Sequence, residues 1–363
     1  MALQVGIIGL PNAGKSTIFN ALTRAGAAVA GYPFTTVDPN HGVALVPDPR
    51  LKAVSRAAGC ERTVPADLRM VDIAGLVEGA SHGEGLGNQF LAHIREVDAV
   101  AHAVRCFSSP DVAHVRAELD PGADIDVVNA ELMLADLAAV ERRRERIAKA
   151  ARSGDREKAR EMEVLSRVED GLNREIPVRR QDLGAEERDM LSGLFLLTAK
   201  PVICVANLGE EQLGADGPLL EAVRRKAVEE GAELVAFCAK LEAEIEELDP
   251  DEVREFLEAY GIERLGLEEF AKKCYALLGL ITFFTTESGE CRAWPLQEGS
   301  TAVQAAGKIH TDMEKGFIRA EVIGWEDFIG YGSFHAAREK GAVHIEGRDY
   351  LVRDGDVILF RFS

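Results

Sequence analysis

The chain has 363 residues, too many for one ordinary core, and 47% hydrophobic with 28% charged residues describes a soluble globular protein of two or three domains. A net charge of −19 argues against whole-surface attraction to nucleic acid, and no apolar run of about 18 residues is available to span a bilayer. Six cysteines without a CxxC pair fit reduced thiols in a cytoplasmic protein, not a metal cluster or a disulfide framework.

The N-terminal "MALQVGIIGL" has no basic leader and reads as a first strand. It feeds "GLPNAGKST" at 9–17, which fits G-x-x-x-x-G-K-[ST], and "TIFNALTRA" then shows helical spacing at Ile18, Leu22 and Ala25. Strand, glycine-rich loop and helix in that order are the context of a P-loop, so the chain binds a nucleoside triphosphate. Gly9 and Gly14 let successive N–H groups of Asn12, Ala13, Gly14, Lys15, Ser16 and Thr17 point at phosphate oxygens. The helix N-terminus adds partial positive charge, Lys15 neutralises the β- and γ-phosphates, and the Ser16 hydroxyl coordinates Mg²⁺.

Next, "GYPFTTVDPNHGVALV" (31–46) reads as a polar loop and a strand. Thr35 or Thr36 can reach Mg²⁺ as that loop closes, and Thr36 is the ligand assigned. "ADLRMVDIAGL" (66–76) is a strand ending in Asp72-x-x-Gly75, which places a carboxylate to hold Mg²⁺ through water and a glycine N–H to sense the γ-phosphate. The loop that follows has glycines at 79, 83, 85 and 87, as a segment ordered by the γ-phosphate would. A switch hydrolase is favoured over a kinase.

"DAVAHAVRCF" (98–107), "KPVICVAN" (200–207) and "AELVAFCAK" (232–240) are near-continuous apolar strands, the pattern of a parallel sheet buried on both faces. Fold class α/β follows: a P-loop doubly wound sheet with the ligand at the strands' carboxyl ends. An insertion at about 125–183 turns helical, with Met133, Leu137, Val140 and Ile147 at seam spacing, Arg144 between them, and Met162, Leu165, Leu172 and Ile176 after "SGD". It predicts an antiparallel coiled-coil arm turning at Gly154. Residues 141–161 hold nine Arg or Lys against five Asp or Glu, so the arm's tip is basic: either a solvated face or a contact for RNA phosphate.

From 279 the pattern changes to short strands at "GLITFFTT", "CRAWPL", "AVHI", "DYLV" and "DVILFRF", with a helix at 300–310 capped by Ser300. That order suggests a ubiquitin-like β-grasp. The expected domains are 1–278, nucleotide-binding with the inserted arm, and 279–363.

"GLPNAGKST", "YPFTTVDPN", "DIAGLVEGASHGEGLGNQFL" and "VANLGEE", with the helical insertion and a TGS-type C-terminal domain, resemble the Obg-related YchF family, the Obg-like ATPases, over essentially the full length. The resemblance implies an ATPase that associates with ribosomes and also hydrolyses GTP. In "VANLGEE" Asn207 can bond the purine ring, but Glu210 stands where a guanine clamp has Asp. Its extra methylene displaces the carboxylate from the base's two donors, so the clamp reads as relaxed and adenine-tolerant, with Glu210 bending to do the Asp's job as the alternative. The resemblance adds the Leu208 backbone as a partner for the adenine amine.

Leu76 occupies the position after Asp72-x-x-Gly75 where many switch GTPases carry a water-orienting Gln. His82 is the nearest side chain able to replace it, the resemblance also points to it, and an exposed loop histidine is the alternative. Asn12 sits where potassium-stimulated relatives of the superfamily help hold a monovalent cation, so K⁺ is an expected second ion. The expected partners are ATP, GTP and the ribosome or its RNA, with no membrane or DNA and a monomeric chain. A binding module with incidental hydrolysis, or a guanine-specific GTPase, are the competing functions.

Overall fold

The computed structural model describes residues 3–29, 41–73, 86–108, 118–245, 248, 250–262, 264–287 and 289–363. Strand β1 (Gln4–Ile8) leads through the P-loop into helix α1 (Lys15–Val29). Strand β2 (His41–Val46), helix α2 (Pro49–Ala58), strands β3 (Arg62–Val64) and β4 (Ala66–Asp72), helix α3 (Leu86–Glu96) and strand β5 (Ala99–Arg105) follow. Helices α4 (Pro121–Arg152) and α5 (Arg156–Leu172) make the insertion, and α6 (Ala185–Ser192) comes after it. Then come β6 (Val202–Asn207), α7 (Pro218–Glu230), β7 (Glu233–Phe237), α8 (Ala239–Ile245), α9 (Pro250–Tyr260) and α10 (Gly266–Leu277). The remainder is β8 (Leu280–Glu287), β9 (Glu290–Gln297), α11 (Ala302–Ile309), α12 (Thr311–Lys315), β10 (Phe317–Gly324), α13 (Trp325–Tyr331), α14 (Phe334–Glu339), β11 (His344–Glu346) and β12 (Asp356–Phe362). No helix among the described residues is long and apolar enough to cross a membrane.

The chain divides into two compact units, one mainly of Met1–Ala21 and Met70–Phe270, the other mainly of Gly42–Arg69 and Ala271–Ser363. In the first, β1, β5, β6 and β7 pair in parallel in that order, and the end of β4 lies beside β1, where the Ile73 N–H donates to the Ile7 carbonyl at 3.1 Å. Every residue of β5 is buried, which is why it reads as an unbroken apolar run. Phe90, Leu91 and Ile94 of α3 and Val128 and Leu132 of α4 pack with Ile8, Val71 and Val100, while Leu220 and Val223 of α7 pack with Val104, Cys204 and Ala206.

The arm is an antiparallel pair, but its two helices are unequal. Asp120 caps α4 by accepting from the Ala123 N–H at 3.0 Å, Pro121 suits the first turn, and the helix runs 32 residues. Gly154, at φ +97°, makes the turn, and Asp155 caps α5 by accepting from the Lys158 N–H at 3.1 Å. Val140, Ile147, Val164, Leu165, Val168 and Leu172 form the dry seam, with Met133, Leu137 and Met162 at its margin. Arg144, the polar residue on the seam, forms an ion pair across it with Glu169. The expected helix to residue 183 stops short: α5 ends at Leu172, so Ile176 lies beyond it. Glu175 at φ +60° and Pro177 turn the chain into a 3₁₀ turn at Val178–Arg180.

In the second unit the sheet order is β11-β10-β12-β8-β9-β3, with β12 parallel to β8 and β8 antiparallel to β9. The five C-terminal strands alone have the β-grasp order, and α11 lays Ala302, Ala305 and Ala306 on Phe283, Ile358 and Phe360. Two local expectations fail here. Thr301, not Ser300, caps α11, through a reciprocal arrangement in which Gln304 Oε1 accepts from the Thr301 N–H at 2.8 Å. "DYLV" makes only a single bridge, Thr301 to Leu351, and the strand that completes the sheet is β10, "FIRAEVIG".

Candidate nucleotide site

At the end of β1 the backbone enters conformations that L-residues avoid. Gly9 has φ +148° and Gly14 φ +87°; a Cβ on Gly9 would lie 2.3 Å from the Ala103 carbonyl oxygen, and one on Gly14 would lie 2.1 Å from Asn207 Nδ2. Asn12, at φ +64°, is exposed at the loop's crest, a position asparagine tolerates better than most residues. Ala13 is buried beneath it.

Lys15 is 8% exposed, and its ammonium donates to the carbonyls of Gly9 (3.2 Å) and Leu10 (2.9 Å). Burial pulls its pKa down, opposed by the nearby Asp72 carboxylate. The loop therefore wraps a cation that an incoming phosphate can share. Ser16 Oγ donates to Asp72 Oδ2 at 2.7 Å, so the two hard oxygen donors expected at a magnesium ion already touch. This donor set fits Mg²⁺ completed by phosphate and water oxygens. Thr17 is exposed on the first turn of α1.

Asn207, at the end of β6, is 4% exposed and joins two loops. Its Nδ2 donates to the Ala13 carbonyl at 3.1 Å, and its Oδ1 accepts from the Ala239 N–H at 3.1 Å. The Leu208 N–H donates to the Phe237 carbonyl at 2.9 Å, so what Leu208 can offer a base is its carbonyl, the acceptor an adenine amine requires. The structure thus brings Asn12, Ala13, Gly14, Lys15, Ser16, Asp72 and Asn207 into one constellation. Glu210 instead meets Lys240, whose Nζ lies 3.4 Å from Glu210 Oε1. Thr36, Gly75 and His82 lie outside the described residues.

A model described as "50S ribosome-binding GTPase" matches residues 4–128, and the C-terminal model of the YchF GTPases, described as a protein of unknown function, matches residues 280–363. The chain is 46% identical over 365 residues to the Ribosome-binding ATPase YchF of Bacillus subtilis (strain 168) and 49% identical over 363 residues to that of Haemophilus influenzae, in both cases over the whole of both chains. A solved structure, the Schizosaccharomyces pombe YchF GTPase, superposes with a TM-score of 0.89 at 33% identity, covering 99% of this chain and 97% of that one. The chain belongs to the YchF family.

Three residues that carry this YchF architecture gave no signal strong enough to single them out in the sequence. Asp136, in the arm's first helix, is 2% exposed and accepts from the N–H groups of Leu197 (2.7 Å) and Thr198 (2.8 Å) and from the Thr198 hydroxyl (2.7 Å). Burial pushes its carboxyl pKa up against those bonds. It ties α4 to the segment that becomes β6, and hence Asn207. Glu242 caps α10, accepting from the N–H groups of Gly266 and Leu267, both at 2.7 Å. Lys240 is the third. A lone Asp inside an apolar heptad run, and the charged pair in "CAKLE", were the available clues.

At the arm's tip the nine cations fall into two sets. Arg143 and Lys158 pair with Glu161 (2.5 and 2.8 Å), Arg144 with Glu169, and Arg160 with Glu186 (2.6 Å). Arg142, Arg146, Lys149, Arg152 and Arg156 are exposed and make no ion pair among the described residues. The first three recur at i, i+4 and i+7, along one face of α4.

Proposed function

We propose that this YchF-family chain is a cytoplasmic, monomeric nucleoside triphosphatase that acts on the ribosome, taking ATP at least as readily as GTP. The Asn207 bridge between Ala13 and Ala239 carries the reading, because it joins the phosphate loop to the base end of a single nucleotide site. The names of the full-length bacterial relatives, Ribosome-binding ATPase, support the partner and the base. Lys15, the loop N–H groups and Asn12 to Thr17 hold the phosphates, and the Leu208 carbonyl meets the adenine amine. Ser16, Asp72 and Thr36 would hold Mg²⁺, which supplies charge neutralisation at the phosphates when bound. K⁺ near Asn12 is proposed as a further counter-charge, and His82 as the group that orients the attacking water. Nucleotide-binding residues 1–278 and a TGS-like β-grasp at 279–363 are the proposed domains; the C-terminal family match at 280–363 supports that boundary.

GTP is retained as a second substrate because both the N-terminal family description and the fission-yeast structure are called GTPases. Calorimetric titration with ATP and GTP, with and without ribosomes, tests the whole. Tight ATP binding and ribosome-stimulated single-turnover hydrolysis are expected. A strong preference for GTP, or hydrolysis indifferent to ribosomes, overturns the corresponding part.

A further inference from the structure

Glu210 and Lys240 come from the two segments that meet around Asn207. Glu210 opens a 3₁₀ turn, Glu210–Gln212, directly after β6, and the Gly209 N–H donating to Gln212 Oε1 at 2.7 Å sets that turn's geometry. Lys240 is the second residue of α8, next to Ala239, whose N–H is held by Asn207. The Leu208–Phe237 hydrogen bond ties the same two segments on the other side. Lys240 Nζ and Glu210 Oε1, 3.4 Å apart, therefore project from backbones whose spacing is fixed, although the side chains are 73% and 45% exposed. Glu244 adds more negative charge near the ammonium, and no second cation is paired with Glu210 among the described residues.

Reading guanine with a carboxylate takes both of its oxygens, one for N1–H and one for the exocyclic amine. Each carboxylate oxygen can accept more than one hydrogen bond, so the pair acts through orientation: a glutamate drawn to the Lys240 ammonium through Oε1 has to swing away from that orientation to set both oxygens square on the base. We propose that Lys240 is a positioning residue for base choice: by pairing with Glu210 it holds the carboxylate away from the guanine donors and leaves adenine recognition to backbone. This rests on the adenine-tolerant reading above and gives it a cause in a different segment of the chain.

Inosine triphosphate tests it, since hypoxanthine lacks only the exocyclic amine of guanine. The ratio of GTP to ITP affinity thus reports whether a carboxylate uses that amine. Dissociation constants for ATP, GTP and ITP are measured on the full chain for wild type, K240A and K240R. Wild type should bind GTP and ITP about equally, K240A should raise the GTP:ITP ratio roughly 2- to 5-fold, the scale of an exposed ion pair, and K240R should return it to the wild-type value. An unchanged ratio in K240A, with wild type still accepting ATP, overturns the role of Lys240 and leaves adenine tolerance standing. A wild type that binds GTP about tenfold or more above both ITP and ATP overturns both.

Discussion

Replacing Asp136 with Ala removes the acceptor for three buried donors at once. Two are backbone N–H groups, of Leu197 and Thr198, that have no way to turn toward water; the third, the Thr198 hydroxyl, can rotate while still accepting from the Val178 N–H at 3.1 Å. Each orphaned backbone donor costs about 1–3 kcal/mol. Part of that is recovered, because a carboxylate whose ionisation burial disfavours is no longer kept from water. The net loss should be about 2–4 kcal/mol. Asp136→Asn sharpens the test: the amide keeps the shape but turns an N–H₂ toward one of the N–H groups, so the loss should be of the same order. Urea unfolding followed by far-UV circular dichroism measures it. Trp294 and Trp325, the only two tryptophans, both lie in the other unit, so their fluorescence gives an independent transition that should move little. Losses below about 0.5 kcal/mol in both variants would refute the reasoning, as would full rescue by Asn.

Reversing Arg146, Lys149 and Arg152 to Glu should weaken ribosome cosedimentation and reduce the slope of log K against log salt by about 2, whereas Arg143→Glu should chiefly destabilise the arm through Glu161; sedimentation at several KCl concentrations separates the two. His82→Ala should lower single-turnover ATP hydrolysis roughly 10- to 1000-fold with little change in ATP affinity, and unaltered turnover would remove it from the chemistry. Glu321, 4% exposed, is raised by burial, but Arg338 (Nε at 2.8 Å) and Arg361 (Nε at 3.1 Å) outweigh that and hold its carboxyl below 4.5. A depressed carboxyl stabilises above its unfolded pKa and loses that contribution as pH falls through the folded one. The stability gap between wild type and Glu321→Gln, followed by tryptophan fluorescence, should accordingly close as pH drops below about 4.5.

What was legible in the sequence was whatever repeats at short range. The loop 9–17 is a local device whose strand, glycines and helix are contiguous, and β5 and β6 are apolar at nearly every position because both faces are covered. The arm's seam showed through its 3.5-residue period. The end of α5 did not, because the apolar period continues to Ile176 while Glu175 and Pro177 break the helix before it. Strand β10 was hidden for a different reason. It buries Ala320, Val322 and Ile323 together with Glu321, so the polar member of the alternation is not on a wet face but under three arginines, Arg319 of the strand itself, Arg338 of α14 and Arg361 of β12. Lys240 and Asp136 matter through partners 30 and about 60 positions away, a separation no window can span.

Helix α4 does two jobs without a break. Its first turns are part of the nucleotide unit's packing, through Ile125, Val128 and Leu132, and its last turns carry the exposed cations. A 32-residue helix is about 48 Å long and bends little without a proline or a mispaired turn inside it. The span beyond Asp136 is about 24 Å, so a tilt of 10° at the base would sweep the tip through about 4 Å, more than the width of a phosphate contact. The arm is therefore a pointer geared to the sheet. Any change in the tilt of α4 where it packs on the sheet is magnified at the exposed cations of its last turns.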